Sequence, residues 1–135
     1  MLLFVYGTLL AGEASHAELA GAVLLGPART SPDYELVDLG DYPALLRRGA
    51  TSVAGELYDV APDLLARLDA FEGHPTLFRR ATVRLGDGRR AAAYLYPRRR
   101  AKTAARIDCG DYRAHARRAR AGARAYSTRA STTTE

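Results

Sequence analysis

Near its N-terminus the chain carries the stretch Phe4-Val5-Tyr6-Gly7-Thr8-Leu9, an apolar strand pattern that ends at a glycine. The apolar, β-prone residues 2–6 predict a buried strand. Gly7 gives the backbone the freedom to turn sharply, and Thr8 places a hydroxyl group beside backbone N–H groups. Unpaired N–H groups in such a turn bind carboxylates or phosphates. The residues therefore predict an anion-binding loop or a plain tight turn with a satisfied threonine.

Two helices are indicated after this turn. Ser15-His16-Ala17-Glu18 has the capping-box pattern, which predicts a short helix through about Ala20. About sixty residues further along, Pro62 precedes apolar residues at helical spacing and Gly73 follows them, so a helix is predicted to start at Pro62 and to end at Glu72.

Glu72 is a carboxylate in the last turn of the predicted helix, where the helix dipole disfavours negative charge by roughly 0.3–1 kcal/mol. With partial burial, the same effect raises the pKa of Glu72 towards neutrality, which suits a group that takes and returns a proton. The alternative is a surface ion pair with Arg79 or Arg80. Asp69 shares the helix face of Glu72 and either raises the pKa of Glu72 or has an N–H or arginine partner of its own.

The remaining pattern predicts an α+β fold with a mostly antiparallel sheet. Residues 22–25 and 34–39 are expected to be strands separated by the breakers Gly26-Pro27 and Ser31-Pro32. Residues 51–60 alternate as one strand does. Residues 78–85 and 89–96 are expected to form a hairpin, with Val83 and Leu85 on one face.

Several motifs together resemble the gamma-glutamylcyclotransferase superfamily, and most closely its small members that act like gamma-glutamylamine cyclotransferase. The resemblance covers roughly residues 2–113 and implies a compact, mostly antiparallel β-barrel with short helices packed around it. The motifs that carry it are Tyr6-Gly7-Thr8-Leu9, Tyr42-Pro43-Ala44-Leu45, Gly55-Glu56-Leu57-Tyr58, Leu68-Asp69-Ala70-Phe71-Glu72-Gly73 with Arg79 soon after, and Gly110-Asp111-Tyr112.

The resemblance implies a reaction in which the α-amine of a gamma-glutamyl compound attacks its own side-chain carbonyl and releases 5-oxoproline and a free amine. The expected catalytic residue is Glu72, as general base and then general acid. Residues 6–9, that is Tyr6, Gly7, Thr8 and Leu9, are expected to bind the α-carboxylate or the developing oxyanion, although Tyr6 is equally suited to the core. Tyr42 and Pro43 are expected to shape one wall of the site or only a turn, and Tyr94 to line the cavity or pack in the barrel. Phe78 stands where relatives often carry tyrosine.

The length and composition of the chain limit the kinds of protein and of site that it can form. A chain of 135 residues is a single-domain length, and no apolar stretch is long enough to span a membrane. One cysteine, Cys109, provides no internal disulfide and fits a reducing cytoplasm. The three histidines lack metal-ligand spacing, so we expect no metal site. The reaction that the resemblance implies needs no cofactor, because its nucleophile and its electrophile belong to one molecule. The expected partner is a small gamma-glutamyl substrate, and we expect a monomer.

The net charge of +5 is unevenly distributed. Residues 1–97 carry −3 and residues 98–135 carry +8. We expect a domain of residues 1–113, a basic helix of residues 114–126 and a disordered tail of residues 127–135. The arginine stripe of this helix suggests an alternative, binding of nucleic acid or another anionic surface, but no nucleic-acid-binding motif accompanies it. A further alternative is a domain of the same fold that binds a small molecule without turnover.

Overall fold

The computed structural model describes the backbone of residues 1–133 and the side chains of residues 1–122. It contains eight strands, two α-helices and two short 3₁₀ helices. In chain order these are β1 (Leu2–Val5), a 3₁₀ helix (His16–Leu19), β2 (Val23–Arg29), β3 (Tyr34–Asp38), β4 (Pro43–Arg47), β5 (Ala54–Asp59), α1 (Pro62–Glu72), β6 (Arg79–Arg84), β7 (Arg90–Leu95), a 3₁₀ helix (Arg98–Arg100), β8 (Ala105–Arg106) and α2 (Tyr112–Thr133).

The strands form one mixed sheet that curls into a half-barrel, which confirms the predicted α+β class. Seven strands follow the order β2-β5-β1-β7-β4-β3-β8, and β6 pairs with β7. Most pairs are antiparallel, whereas β7 runs parallel to β1 and to β4. Because β7 pairs with three strands, it brings the N-terminal strand and β4 together at one place in the sheet.

The first strand is apolar throughout because both of its faces are buried, as is usual for the inner strands of a covered sheet. Leu3 and Val5 belong to a cluster that includes the apolar face of α1, while Phe4 and Tyr6 belong to a second cluster on the opposite face. Each of these four side chains is at most 7% exposed. The strand therefore fixes the position of the turn that follows it.

Helix α1 has the predicted limits. Pro62 occupies its first turn, and Gly73 ends it in the left-handed conformation at φ 68°. A residue with a Cβ is strained in that conformation, so glycine suits the position. Leu64, Leu65 and Leu68 are buried against the sheet, which leaves the last turn of the helix at the edge of the core.

Three local predictions differ from the structure. Strand β2 continues through Gly26-Pro27, because a register shift between Leu24 and Gly26, with Gly26 at φ 130°, absorbs the two breakers. The helix of residues 16–19 is a 3₁₀ helix, and the Ser15 side chain makes no capping hydrogen bond. Strand β8 was not identified from the sequence, and β4 was anticipated only as the strand that would follow a turn at Tyr42 and Pro43.

The other strand predictions are confirmed. The β6–β7 hairpin pairs Arg84 with Arg90, and Val83 and Leu85 are buried on one face. Helix α2 continues to Thr133, beyond the Tyr126 at which the sequence predicts its end, and residues 134–135 of the predicted tail lie outside the described residues. Among the described residues, no helix is both long and apolar enough to cross a membrane.

Candidate active site

A cavity of about 220 Å³ opens where the end of β1, the end of α1 and the start of β4 meet. Every residue predicted for the site from the sequence lines this cavity. These residues are Tyr6, Gly7, Thr8, Leu9, Tyr42, Pro43, Glu72 and Tyr94. Residues more than eighty positions apart in the chain therefore share one small space.

Glu72 is the last residue of α1 and is the acid whose environment is most unusual. Burial raises the pKa of the Glu72 carboxyl from 4.5 to about 7. In the described part of the chain, Glu72 makes no ion pair, so the predicted alternative of a surface pair with Arg79 or Arg80 is wrong. A carboxyl group with a pKa near neutral pH can accept and release a proton under ordinary conditions.

Asp69 lies one turn before Glu72 and has the opposite character. Its carboxylate accepts hydrogen bonds from Arg80 Nε at 2.9 Å, from Arg80 Nη2 at 3.2 Å and from the Tyr94 hydroxyl at 2.8 Å. Burial alone would raise the pKa of Asp69, but these hydrogen bonds lower it. Of the alternatives considered for Asp69, an arginine partner is the one observed. Asp69 and Glu72 thus differ in ionisation, because Asp69 has an arginine partner and Glu72 has none within the described residues.

The turn after β1 lines the cavity and contains backbone donors that are unpaired among the described residues. In the described part of the chain, the N–H groups of Gly7, Thr8 and Leu9 donate no hydrogen bond, whereas the carbonyl of Thr8 accepts one from Ser15 N–H at 2.8 Å. A Cβ on Gly7 would lie 2.6 Å from Cγ of Pro43, so only glycine fits there without displacement. Three free donors in one turn can bind an anionic oxygen.

Tyr6 and Tyr94 are structural as well as cavity-lining residues. The Tyr6 hydroxyl donates to the Tyr94 carbonyl at 2.6 Å and accepts from Leu45 N–H at 3.3 Å. Burial, together with the charge of Glu72, raises the pKa of Tyr6, so this hydroxyl stays protonated. Tyr96 packs with the same core cluster as Tyr94, and it lines a neighbouring surface concavity and not this cavity.

Glu56 of β5 makes the hydrogen bonds that hold the loop after β1 in place. Its carboxylate accepts hydrogen bonds from Ala11 N–H at 2.9 Å, from the Tyr58 hydroxyl at 3.1 Å and from Arg113 at 3.1 Å. Arg113 also donates to the Ala11 carbonyl. Burial alone would raise the pKa of Glu56, but these hydrogen bonds lower it, so Glu56 is ionised. The first turn of α2 therefore fixes the loop that carries the free donors.

Helix α2 reaches the opposite wall of the cavity as well. His115 Nε2 lies 2.7 Å from Oδ2 of Asp38, and this hydrogen bond is the main reason that the pKa of Asp38 is lowered. Asp38 begins the turn that leads to Tyr42, whose ring packs against Phe78 at 5.7 Å between centroids. The loop after β1 and the loop between β3 and β4, which both contribute to the cavity lining, are thus anchored to the start of α2.

Several lining residues were missed by sequence reasoning. Asp41 directly precedes the motif at Tyr42, so extending that motif by one residue would have found it, whereas Phe71 lies inside the motif that contains Glu72 but was not assigned to the site. No sequence feature assigned Leu77 to the site, because an apolar leucine in a loop indicates neither a catalytic nor a binding role. The missed residues are Phe4, Val5, Ala14, Ser15, Asp41, Phe71, Leu77 and Phe78. In the described ranges, no group of three or more His, Cys, Asp or Glu side chains could hold a metal ion.

Comparisons with known proteins identify the family. The family model described as "Gamma-glutamyl cyclotransferase, AIG2-like" matches residues 3–114. A Vibrio cholerae protein that carries the provisional name of a gamma-glutamylcyclotransferase is 43% identical over 111 residues, which cover 82% of this chain and 94% of that protein. The human gamma-glutamylaminecyclotransferase is 37% identical over 93 residues, which cover 62% of this chain and 61% of the human protein.

A solved structure agrees with these matches. The crystal structure of an AIG2-like protein from Mus musculus superposes with a TM-score of 0.64 at 28% identity, over 70% of this chain and 75% of the mouse chain. The matched region contains the turn after β1 and the end of α1, which together form the cavity. This chain belongs to the AIG2-like gamma-glutamylcyclotransferase family and is an enzyme of the cyclotransferase class.

Proposed function

We propose that this protein converts a gamma-glutamyl amine, or a related gamma-glutamyl compound, to 5-oxoproline and a free amine without a cofactor. The observation that carries the proposal is Glu72, a carboxyl group with a pKa of about 7 that lines the same cavity as residues 7–9, whose N–H groups donate no hydrogen bond within the described residues. The human relative is named a gamma-glutamylaminecyclotransferase, which suggests the substrate class.

The reaction needs only proton transfer and positioning. The α-nitrogen of the substrate forms a bond to the side-chain carbonyl carbon, and the bond from that carbon to the leaving nitrogen breaks. Two protons pass from the α-nitrogen to the leaving nitrogen, and no other atoms enter. Glu72 takes a proton from the α-ammonium and delivers one to the departing amine.

The turn after β1 supplies the second part of the mechanism. Its free N–H groups bind an anionic oxygen of the substrate, either the α-carboxylate or the oxyanion that develops at the attacked carbonyl. Tyr42, Pro43 and Tyr94 form the walls that fold the substrate into its cyclising conformation. Holding both reacting groups of one molecule in this geometry lowers the barrier by several kcal/mol.

The test is the release of 5-oxoproline from a panel of gamma-glutamyl amines and dipeptides by wild type and Glu72→Gln. We expect the variant to lose roughly 10²–10⁴-fold in kcat/KM, because the amide keeps the shape of the side chain but cannot carry a proton. The control is Glu18→Gln, which removes an exposed carboxylate outside the cavity.

The possible results are distinct. Equal activity of wild type and Glu72→Gln would exclude Glu72 as the proton carrier. Binding of a gamma-glutamyl compound without any release of 5-oxoproline would indicate a binding domain without turnover. In that case calorimetry of the same panel would still show which compound the cavity accepts.

A further inference from the structure

A second and larger concavity lies beside the candidate active site. It has a volume of about 800 Å³ and is bounded by the loop of residues 75–77, by the ends of β4 and β7, and by the 3₁₀ helix Arg98–Arg100. A concavity of this size is sufficient for a small organic ligand. We call it the arginine groove, since its lining includes Arg47, Arg48, Arg79, Arg80, Arg98 and Arg99.

The groove carries a strong excess of positive charge. Arg80 pairs with Asp69 at 2.9 Å, and Arg98 pairs with Glu35 at 2.8 Å. The other four arginines make no ion pair within the described residues, and no aspartate or glutamate lines the groove. Four uncompensated guanidinium groups around one concave surface produce a positive potential that attracts anions.

The groove and the active-site cavity adjoin each other. The Leu77 side chain lines both, and it is 39% exposed. Phe78 N–H donates to the Glu72 carbonyl at 3.2 Å, so Arg79, the next residue, begins β6 close to the end of α1. A ligand that extends from Glu72 past Leu77 therefore enters the arginine groove.

The two volumes suit the two halves of a gamma-glutamyl compound. The cavity of about 220 Å³ has room for the gamma-glutamyl group but little more, so a sizeable leaving amine must extend outside it. Arginine binds carboxylate and phosphate oxygens through paired N–H groups and repels ammonium groups. The character of the groove thus predicts the charge of the leaving amine.

We infer that the preferred substrates carry an anionic group, a carboxylate or a phosphate, on the amine half, and that this group binds in the arginine groove. The inference rests on the proposed function, because it concerns the leaving half of the same substrate. It distinguishes such compounds from gamma-glutamyl polyamines, whose free end is cationic and is disfavoured by the groove.

The test compares gamma-glutamyl conjugates that share a five-carbon chain and differ in the group, and hence the charge, at the free end. The amines are pentylamine, 1,5-diaminopentane, 5-aminopentanoate and 5-aminopentyl phosphate. We expect wild-type kcat/KM for the two anionic conjugates to exceed that for the neutral one by about tenfold, with the cationic conjugate lowest. The preference should decrease at high ionic strength, because the charges lie at the surface. The carboxylate and phosphate arms show which anion the groove prefers.

The test variant is Arg79→Gln/Arg99→Gln. Among the described residues, neither of these two side chains makes a hydrogen bond or an ion pair, so the substitution removes charge without removing a polar contact of the side chain. We expect kcat/KM of the variant for the anionic conjugates to fall to near that for the neutral one. The control is Arg67→Gln, an exposed arginine of α1 outside both concavities, which should keep the wild-type preference.

The outcomes separate this inference from the proposed function. Equal turnover of all four conjugates, or preference for the cationic one, would overturn the inference and leave the cyclotransferase activity standing. If no conjugate is turned over, the proposed function fails, and calorimetry of 5-aminopentyl phosphate with wild type and the double variant still tests the groove. Binding that the double variant loses supports an anion site, whereas no binding to wild type refutes it.

Discussion

Replacing Glu72 by glutamine should stabilise the folded protein, and the gain should depend on pH. Burial raises the pKa of the Glu72 carboxyl from 4.5 to about 7, so at high pH the fold contains a poorly solvated negative charge. A shift of that size corresponds to about 3 kcal/mol of unfolding free energy. Glutamine has nearly the same shape and no charge, and it avoids this cost.

The sign of the effect follows from proton binding. Between pH 4.5 and about 7 the native state holds a proton on Glu72 that the unfolded state has already released. The unfolding free energy of wild type therefore falls as pH rises through this interval, and the contribution is constant above it. Below pH 4.5 both states are protonated, so wild type and variant should have similar stability.

Urea unfolding of wild type and Glu72→Gln at pH 4 and pH 8 measures this difference. We expect the variant to be more stable by about 3 kcal/mol at pH 8 and nearly equal to wild type at pH 4. Glu18→Gln, which changes an exposed glutamate, should show no comparable gain. A difference between Glu72→Gln and wild type that is the same at both pH values would refute the assignment of the raised pKa to Glu72.

Three further substitutions test two residues that line the cavity and one residue that holds a loop beside it. Gly7→Ala places a Cβ 2.6 Å from Pro43 Cγ, so it should lower the unfolding free energy by about 1–3 kcal/mol and reduce 5-oxoproline release. An unchanged melting temperature and an unchanged rate of 5-oxoproline release would contradict the close packing. Tyr6→Phe removes the hydroxyl that pairs with two buried backbone groups, so it should lower the unfolding free energy measured in urea by about 1–3 kcal/mol. An unchanged unfolding free energy would contradict this role of the hydroxyl. Arg113→Ala removes the contacts that fix the loop carrying the N–H donors, so the KM for a gamma-glutamyl substrate should rise more than kcat falls. An unaltered KM would show that the loop keeps its conformation without Arg113.

The sequence predicted the parts of the site whose signals are local. A strand that ends at Gly7 and a helix that ends at Gly73 each follow from a few adjacent residues, and the position of Glu72 follows from the second. The meeting of these two segments depends on the pairing of β7 with both β1 and β4. That pairing is non-local and was not predicted, and the resemblance to a known family supplied only the expectation that the two segments share one site.

Partners that lie far apart in the chain could not be predicted. The residues around Asp69 in the sequence do not show that Asp69 pairs with Arg80 instead of acting on Glu72. This pairing depends on how β6 packs beside α1. Likewise the bond between Glu56 and Arg113 joins residues 57 positions apart. Local signals can also mislead, as at Gly26-Pro27, where a shift in register lets a strand absorb two residues that usually end one.

The anchoring of the N-terminal loop by Arg113 has a consequence for the newly made chain. The loop emerges among the first fifteen residues, but the side chain that holds it is synthesised about a hundred residues later. Bacterial and eukaryotic ribosomes add about 5–20 residues per second, so the loop waits for roughly 5–20 s before its contacts can form. A nascent chain released after Tyr94 but before Arg113 has every residue of the cavity lining but not the contact that fixes the loop after β1.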